Sequence, residues 1–175
     1  MLEDTMTLNW GTNFLFPTLV TKSNIEITDD IVHQAMGFNE ITDDLYEQVL
    51  EGFEHHLEQS LDKETSDWHH YQVKSWINKY DKEHVGMEMH THAGSHLSAI
   101  AIIESGLGGE IVFQDPRNFA SRGYDMKFRP LFDNLVYQPE QGDLLVFPSF
   151  LYHSVRPVNM LRVSAAFDMY LYSDE

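Results

Sequence analysis

Two segments near the start of the chain carry apolar residues at helical spacing. In "TDDLYEQVLEGFEHHLEQSL" (42–61), Leu45, Val49, Phe53, Leu57 and Leu61 recur every fourth residue, with Tyr46 and Leu50 widening the stripe. Thr42 precedes two aspartates there, and Thr28 precedes two more in "TDDIVHQAM" (28–36). A hydroxyl cap followed by acids in the first turn is a helix start, so both segments are expected to be helices. His55 and His56 fall on the longer one and are read as part of a packing helix. After residue 70 the period changes. "YQVKSWINKY", "HLSAIAII", "EIVFQ", "DLLVFP" and "LRVSAAFDMYLY" are short runs of β-branched and aromatic residues, separated by "SGLGG", "DPRN" and "PEQGD". Helices followed by a run of mainly antiparallel strands predict a mainly β domain: a β-sandwich or barrel with the helices packed outside. One domain over 1–175 is expected, with a helical part over 1–70 and a β-barrel core over 71–175.

Composition narrows the function. The 175 residues include 42% hydrophobic and 13% aromatic side chains, enough for a sizeable core. No apolar run approaches the roughly 20 residues of a membrane span, and the first ten residues lack a basic region ahead of an apolar one. A soluble, cytoplasmic protein is the expectation. A net charge of −17 argues against a surface that grips nucleic-acid phosphates. With no cysteine, any metal must be held by histidine and carboxylate, a donor set that suits iron, manganese or zinc.

Two stretches supply such donors. In "GMEMHTHAGSHLSA" (86–99), strand alternation would put Glu88, His90 and His92 on one face and Met87, Met89 and Thr91 on the other. Neighbours two apart lie about 6.6 Å apart along a strand, and residues four apart about 13 Å. An unbent strand therefore cannot offer both Glu88 and His92 to one ion. The second stretch, "QGDLLVFPSFLYHSVRPVNMLRVSAAF" (141–167), carries His153 among apolar neighbours. Arg162 follows nine positions later, with Ser164 two beyond it on the same strand face. His96 is read as a neighbour of the site or a surface residue, and His69 and His70 as an exposed loop. Asp115-Pro116-Arg117 reads as a turn whose functional alternative is a substrate contact from Asp115 or Arg117. Trp76, Asn78 and Tyr80 alternate onto one face. Arg156, beside Pro157 at a strand end, is the rival to Arg162.

Together, "HTHAGSHLSAIAIIESGLGGEIVFQDPR" and "GDLLVFPSFLYHSVRPVNMLRVSAAF" resemble the iron(II)- and 2-oxoglutarate-dependent oxygenase superfamily, in its small branch often encoded by bacteria and phages. "FLFPTLV" (14–20) resembles how members of that branch begin. The resemblance implies a double-stranded β-helix, that is, a jelly-roll or cupin-like barrel. It implies Fe(II) as the metal, 2-oxoglutarate as cosubstrate and O₂ as co-reactant. Oxidative decarboxylation to succinate and CO₂ would accompany hydroxylation of an unidentified substrate. His90, His92 and His153 would hold the metal, and Arg162 with Ser164 would bind the distal carboxylate of the cosubstrate, with Asn78 and Tyr80 lining its pocket. This chain has His92 where most of the superfamily has an acid. A Glu88–His90–His153 set is therefore the alternative, and the position of His92 in the branch motif favours the three-histidine set. A cupin-type three-histidine protein that uses no keto acid shares the barrel and the His-x-His motif, and so does a non-enzymatic jelly-roll interaction protein. Arg162 and Ser164 are what separate the oxygenase from the cupin. The assembly is open, a homodimer included.

Overall fold

The computed structural model describes residues 18–83, 86–117, 123, 127 and 133–173. "FLFPTLV" thus falls mostly outside the described residues. Two helices and nine strands are described, in the order β1 (Thr21–Asn24), α1 (Asp29–Phe38), α2 (Asp43–Leu61), β2 (His70–Tyr80), β3 (Met87–His90), β4 (Leu97–Glu104), β5 (Ile111–Phe113), β6 (Leu135–Tyr137), β7 (Asp143–Pro148), β8 (His153–Val155) and β9 (Arg162–Tyr172). The helices start where the hydroxyl caps predict: Thr28 accepts from the Ile31 N–H and Thr42 from the Leu45 N–H.

All strand pairings are antiparallel. One sheet has the order β1-β7-β4-β9-β2 and the other β3-β8-β5-β6. Facing each other, they form the double-stranded β-helix that the family resemblance implies. The part before residue 70 is not wholly helical, however. Thr21–Asn24 forms an edge strand on β7, and four polar residues carry no apolar signal to announce a strand. Strand β6 is apolar but only three residues long, too short for a periodic pattern, and is held by its pairing to β5. His70 lies in a strand rather than a loop: it opens β2 opposite Tyr172, and the two rings stack.

Strict alternation divides the large sheet between two cores. Ala99, Ala101 and Ile103 of β4, Leu144 and Val146 of β7, and Val163, Ala165, Phe167 and Met169 of β9 face the helices. They pack with Ile31 and Ala35 of α1 and Leu45, Val49, Phe53 and Leu57 of α2. The opposite positions, Ile100, Ile102, Leu145 and Phe147, face the small sheet and meet Ile111, Phe113 and Leu151. The small sheet is tied to the large one through the buried Asp143. Its carboxylate accepts from the Tyr137 hydroxyl of β6 and pairs with Lys22 of β1 at 2.9 Å. The Glu140 N–H adds a third donor at 2.8 Å. His56 is buried on α2, where its Nδ1 meets the Thr21 hydroxyl at 2.8 Å, and burial lowers its pKa. That contact fixes β1 on the helix layer, in keeping with the packing role read for this helix.

Phe53 is fully buried between α2 and the sheet. Phe53→Ala should cost about 3–5 kcal/mol, from lost transfer energy plus a cavity. Denaturant unfolding measures it, and a shift under about 1 kcal/mol would show that the helix layer is not a packed core.

Candidate metal centre and anion pocket

The inner face of β9 carries Arg162, Ser164, Ala166 and Asp168. In register on β2, Tyr80 lies opposite Arg162, Asn78 opposite Ser164 and Trp76 opposite Ala166. Arg162, Ser164, Asn78, Tyr80 and Trp76 all line one pocket, together with His90, His92 and His153. The two distant stretches singled out in the sequence therefore meet in one cavity.

The histidines arrive from three places. His90 ends β3, opposite His153 at the start of β8, and His92 lies in the turn that follows β3. Its backbone N–H bonds the Ser149 carbonyl at 3.1 Å, anchoring that turn to the β7–β8 connection. One ring nitrogen from each of His90, His92 and His153 lies within 4.8 Å of the others. His153 is buried, and His90 and His92 are half-buried. Each Nδ1 faces an oxygen that only accepts: the Glu88 carbonyl for His90 at 2.7 Å, the Leu151 carbonyl for His153 at 3.0 Å, and the Asp168 carboxylate for His92. Nδ1 must therefore carry a proton in all three, so Nε2 is the nitrogen that each neutral ring would offer a metal. Three neutral imidazoles so tethered are what a divalent transition metal requires. Burial, above all, pulls the pKa of His153 down to about 4, so its ring stays neutral well below neutral pH.

The face expected for Glu88 is corrected by a bulge. Met87 pairs with Val155 and His90 with His153, so three steps on β3 match two on β8. The extra residue resets the alternation: Met87 joins His90 on the pocket lining, and Glu88 is exposed outside it.

Arg162 lies at the other end of the cavity and is fully buried. Nη1 donates to the Ser164 hydroxyl at 3.1 Å, and the guanidinium carbon stands 5.5 Å from the Tyr80 ring centroid. Nε and Nη2 have no hydrogen-bond partner among the described residues. Burial lowers its pKa to about 10, leaving it protonated at neutral pH. A buried cation with two unmet donors is costly unless an anion completes it. Its back wall is Gly109, at φ +69, where a Cβ would come within 2.8 Å of Arg162 Cδ and 2.9 Å of Val158 Cγ1.

Other candidates lie elsewhere. Asp115 and Arg117 close a turn on one another, through contacts of 2.7 Å to the Arg117 N–H and 2.7 Å to Nη2, and neither lines the pocket. Arg156 is exposed. His96 accepts the Leu171 N–H at 3.1 Å and so pins the turn after β3. The residue missed by sequence reasoning is Asp168. Its signal was present, since it falls four positions after Ser164 on the same strand face.

A family profile described as "Putative 2OG-Fe(II) oxygenase" matches residues 74–168, more than half of the chain. The chain belongs to this family, whose members use Fe(II), 2-oxoglutarate and O₂. No curated protein matches the sequence. Among solved structures, a prolyl-4-hydroxylase from Pseudomonas putida superposes with a TM-score of 0.56 at 14% identity, over 90% of this chain and 88% of that one. The viral collagen prolyl hydroxylase of Paramecium Bursaria Chlorella virus-1 gives a TM-score of 0.53 at 11% identity, over 93% and 98%. At these identities the likeness is one of fold. A 2OG-Fe(II) oxygenase family oxidoreductase from Burkholderia pseudomallei shares 20% identity with a TM-score of 0.44; the match covers 57% of this chain and only 45% of that longer one. Among the described residues no helix is long and apolar enough to cross a membrane.

The depressed pKa of His153 has a signed consequence for the metal-free protein. The unfolded chain takes up its proton near 6.5 and the folded one only near 4. The stabilising contribution is complete above pH 6.5 and is lost as pH falls toward 4, to a total on the order of 3 kcal/mol. Urea unfolding of metal-free protein between pH 7.5 and 4 should show this slope, and His153→Gln should flatten it. An unchanged slope in the variant would show that the ring protonates freely in the fold.

Proposed function

We propose that the protein is an Fe(II)- and 2-oxoglutarate-dependent hydroxylase whose metal is held by His90, His92 and His153. Arg162 and Ser164 bind the distal carboxylate of 2-oxoglutarate, with Asn78 and Tyr80 beside them. When bound, the metal and cosubstrate supply oxidative decarboxylation of 2-oxoglutarate by O₂ to succinate and CO₂, coupled to hydroxylation of a C–H bond. The chain's own contribution is placement. The three Nδ1 tethers keep a proton on Nδ1 of each ring and leave Nε2 as the nitrogen that would bind the metal. The guanidinium offers a planar fork to a carboxylate. Phe147 and Val155 give the cavity apolar walls beside the histidines. Trp76 and Met87, both partly exposed on the pocket lining, form the rim that the C–H substrate crosses.

The observation that carries this reading is the fully buried Arg162 with Nε and Nη2 unmet, in the same cavity as three convergent histidines. A cupin-type site without a keto acid has no use for such a cation, and a barrel with vestigial histidines has no use for either feature.

Anaerobic titration with Fe(II) and 2-oxoglutarate, followed through the visible charge-transfer band, is the direct test. One Fe(II) per chain and a saturable 2-oxoglutarate response are expected. A charged bidentate contact is worth about 1.5–3 kcal/mol, so Arg162→Ala should weaken 2-oxoglutarate roughly ten- to a hundredfold or more. Arg162→Lys should also be impaired, since an ammonium cannot reproduce the fork. Wild-type affinity in Arg162→Ala would return the cupin reading.

The ligand set has its own test. His92→Ala should lose most bound metal, while Glu88→Gln keeps it. The reverse result, measured by metal content after dialysis, would assign the Glu88–His90–His153 set instead.

A further inference from the structure

Two of the three histidine tethers end on backbone carbonyls, and the third ends on a charge. His92 Nδ1 lies 2.8 Å from Asp168 Oδ1 and 2.9 Å from Oδ2. Among the described residues, Asp168 is the one anionic side chain bonded to any of the three rings. It is 7% exposed and sits on the inner face of β9, directly opposite Ser98 of β4. Lys74 is its register partner on the other side, but the Lys74 ammonium rests over the Tyr170 ring, 4.7 Å from the centroid.

The hydroxyls around Asp168 have a fixed direction. Ser98 Oγ donates to Asp168 Oδ1 at 2.7 Å. A hydroxyl has one hydrogen, so in the 2.8 Å contact between Ser98 and Ser149 the donor must be Ser149. The Ser149 carbonyl, in turn, accepts the His92 N–H. The circuit closes: Ser149 holds the backbone of His92 directly and its ring through Ser98 and Asp168. The opposite face of the ring problem is handled by Trp76, which stacks on His92 at 5.7 Å with 20° between the planes.

We propose that Asp168 is the positioning carboxylate of the metal centre, locking His92 with Nε2 toward the metal and supplying, one hydrogen bond away, the negative charge that three neutral imidazoles lack. The inference rests on the three-histidine reading above. A carboxylate that accepts from an imidazole N–H fixes the tautomer and makes the ring a stronger donor to the metal. The neutral carbonyls behind His90 and His153 fix the tautomer but add no net charge, so the three ligands are not equivalent.

The test uses the full chain and Co(II) as a spectroscopic probe, with affinity read by competition and coordination by the visible d–d bands. Loss of such a partner typically lowers metal affinity ten- to a hundredfold, and that range is expected for Asp168→Ala, with altered d–d bands. Asp168→Asn keeps an acceptor oxygen without the charge. It should recover much of the affinity, keep the d–d envelope, and raise the Fe(III)/Fe(II) potential of the iron-loaded protein, a change that a merely packing role would not produce. Ser98→Ala, which leaves the carboxylate in place, should weaken Co(II) only a few-fold and serves if Asp168→Ala does not fold. Wild-type affinity, bands and potential in the Asp168 variants, with wild-type protein still binding Co(II) through His92, would overturn the proposal. Wild-type protein that binds no Co(II) would instead remove the metal centre itself, and this inference with it.

Discussion

The register of β9 between its two neighbours is the constraint on which the rest of the molecule depends. Its outward residues, Val163, Ala165, Phe167 and Met169, are buried under the helices, and its inward residues are Arg162, Ser164, Ala166 and Asp168. A slip of one residue would drive a guanidinium and a carboxylate into the helix-facing core and turn Phe167 toward the histidines. The cost of burying those charges without partners is far above that of any single hydrogen bond. Apolar packing on one side of the sheet therefore specifies the polar geometry on the other. The two helices contribute to the site without touching it.

Within that frame, the polar groups divide by what completes them. The Asp168 carboxylate is satisfied by this chain alone, through His92 and Ser98. The Arg162 guanidinium is not: one of its nitrogens reaches Ser164 and two remain open. A folded protein that keeps an incomplete buried cation gives up stability at that point, and strain of this kind gathers where a ligand binds. The β3–β8 bulge does related work at the histidine end, placing Met87 on the pocket lining and leaving Glu88 outside it.

Much of this was legible in the sequence. The helices followed from Thr28, Thr42 and a four-residue stripe, and five of the strands from β-branched runs between turns. His90, His92, His153, Arg162 and Ser164 stood out because their side-chain chemistry is conspicuous among apolar neighbours. What stayed hidden depends on pairing. Strands β1 and β6 are three or four residues long and are held by their partners rather than by their own pattern. The bulge is a mismatch between two strands, so neither strand shows it alone, and the alternation read for Glu88 went wrong for that reason. Asp168 looked like one more acid in a chain of net charge −17 until Ser98 was found opposite it.

Gly109 places a limit on how this chain can diverge. The loop from Ser105 to Gly109 has the composition of an ordinary turn, and turns are where sequences usually drift. Here a single methyl group would press on Arg162 Cδ from behind, against a wall already closed by Val158. The wall behind Arg162 thus has no room for a side chain, whereas Trp76 and Met87 at the mouth remain partly open to solvent. The two ends of the pocket are under unequal constraint: a side chain added at Gly109 must displace Arg162, whereas a change at Trp76 or Met87 meets solvent.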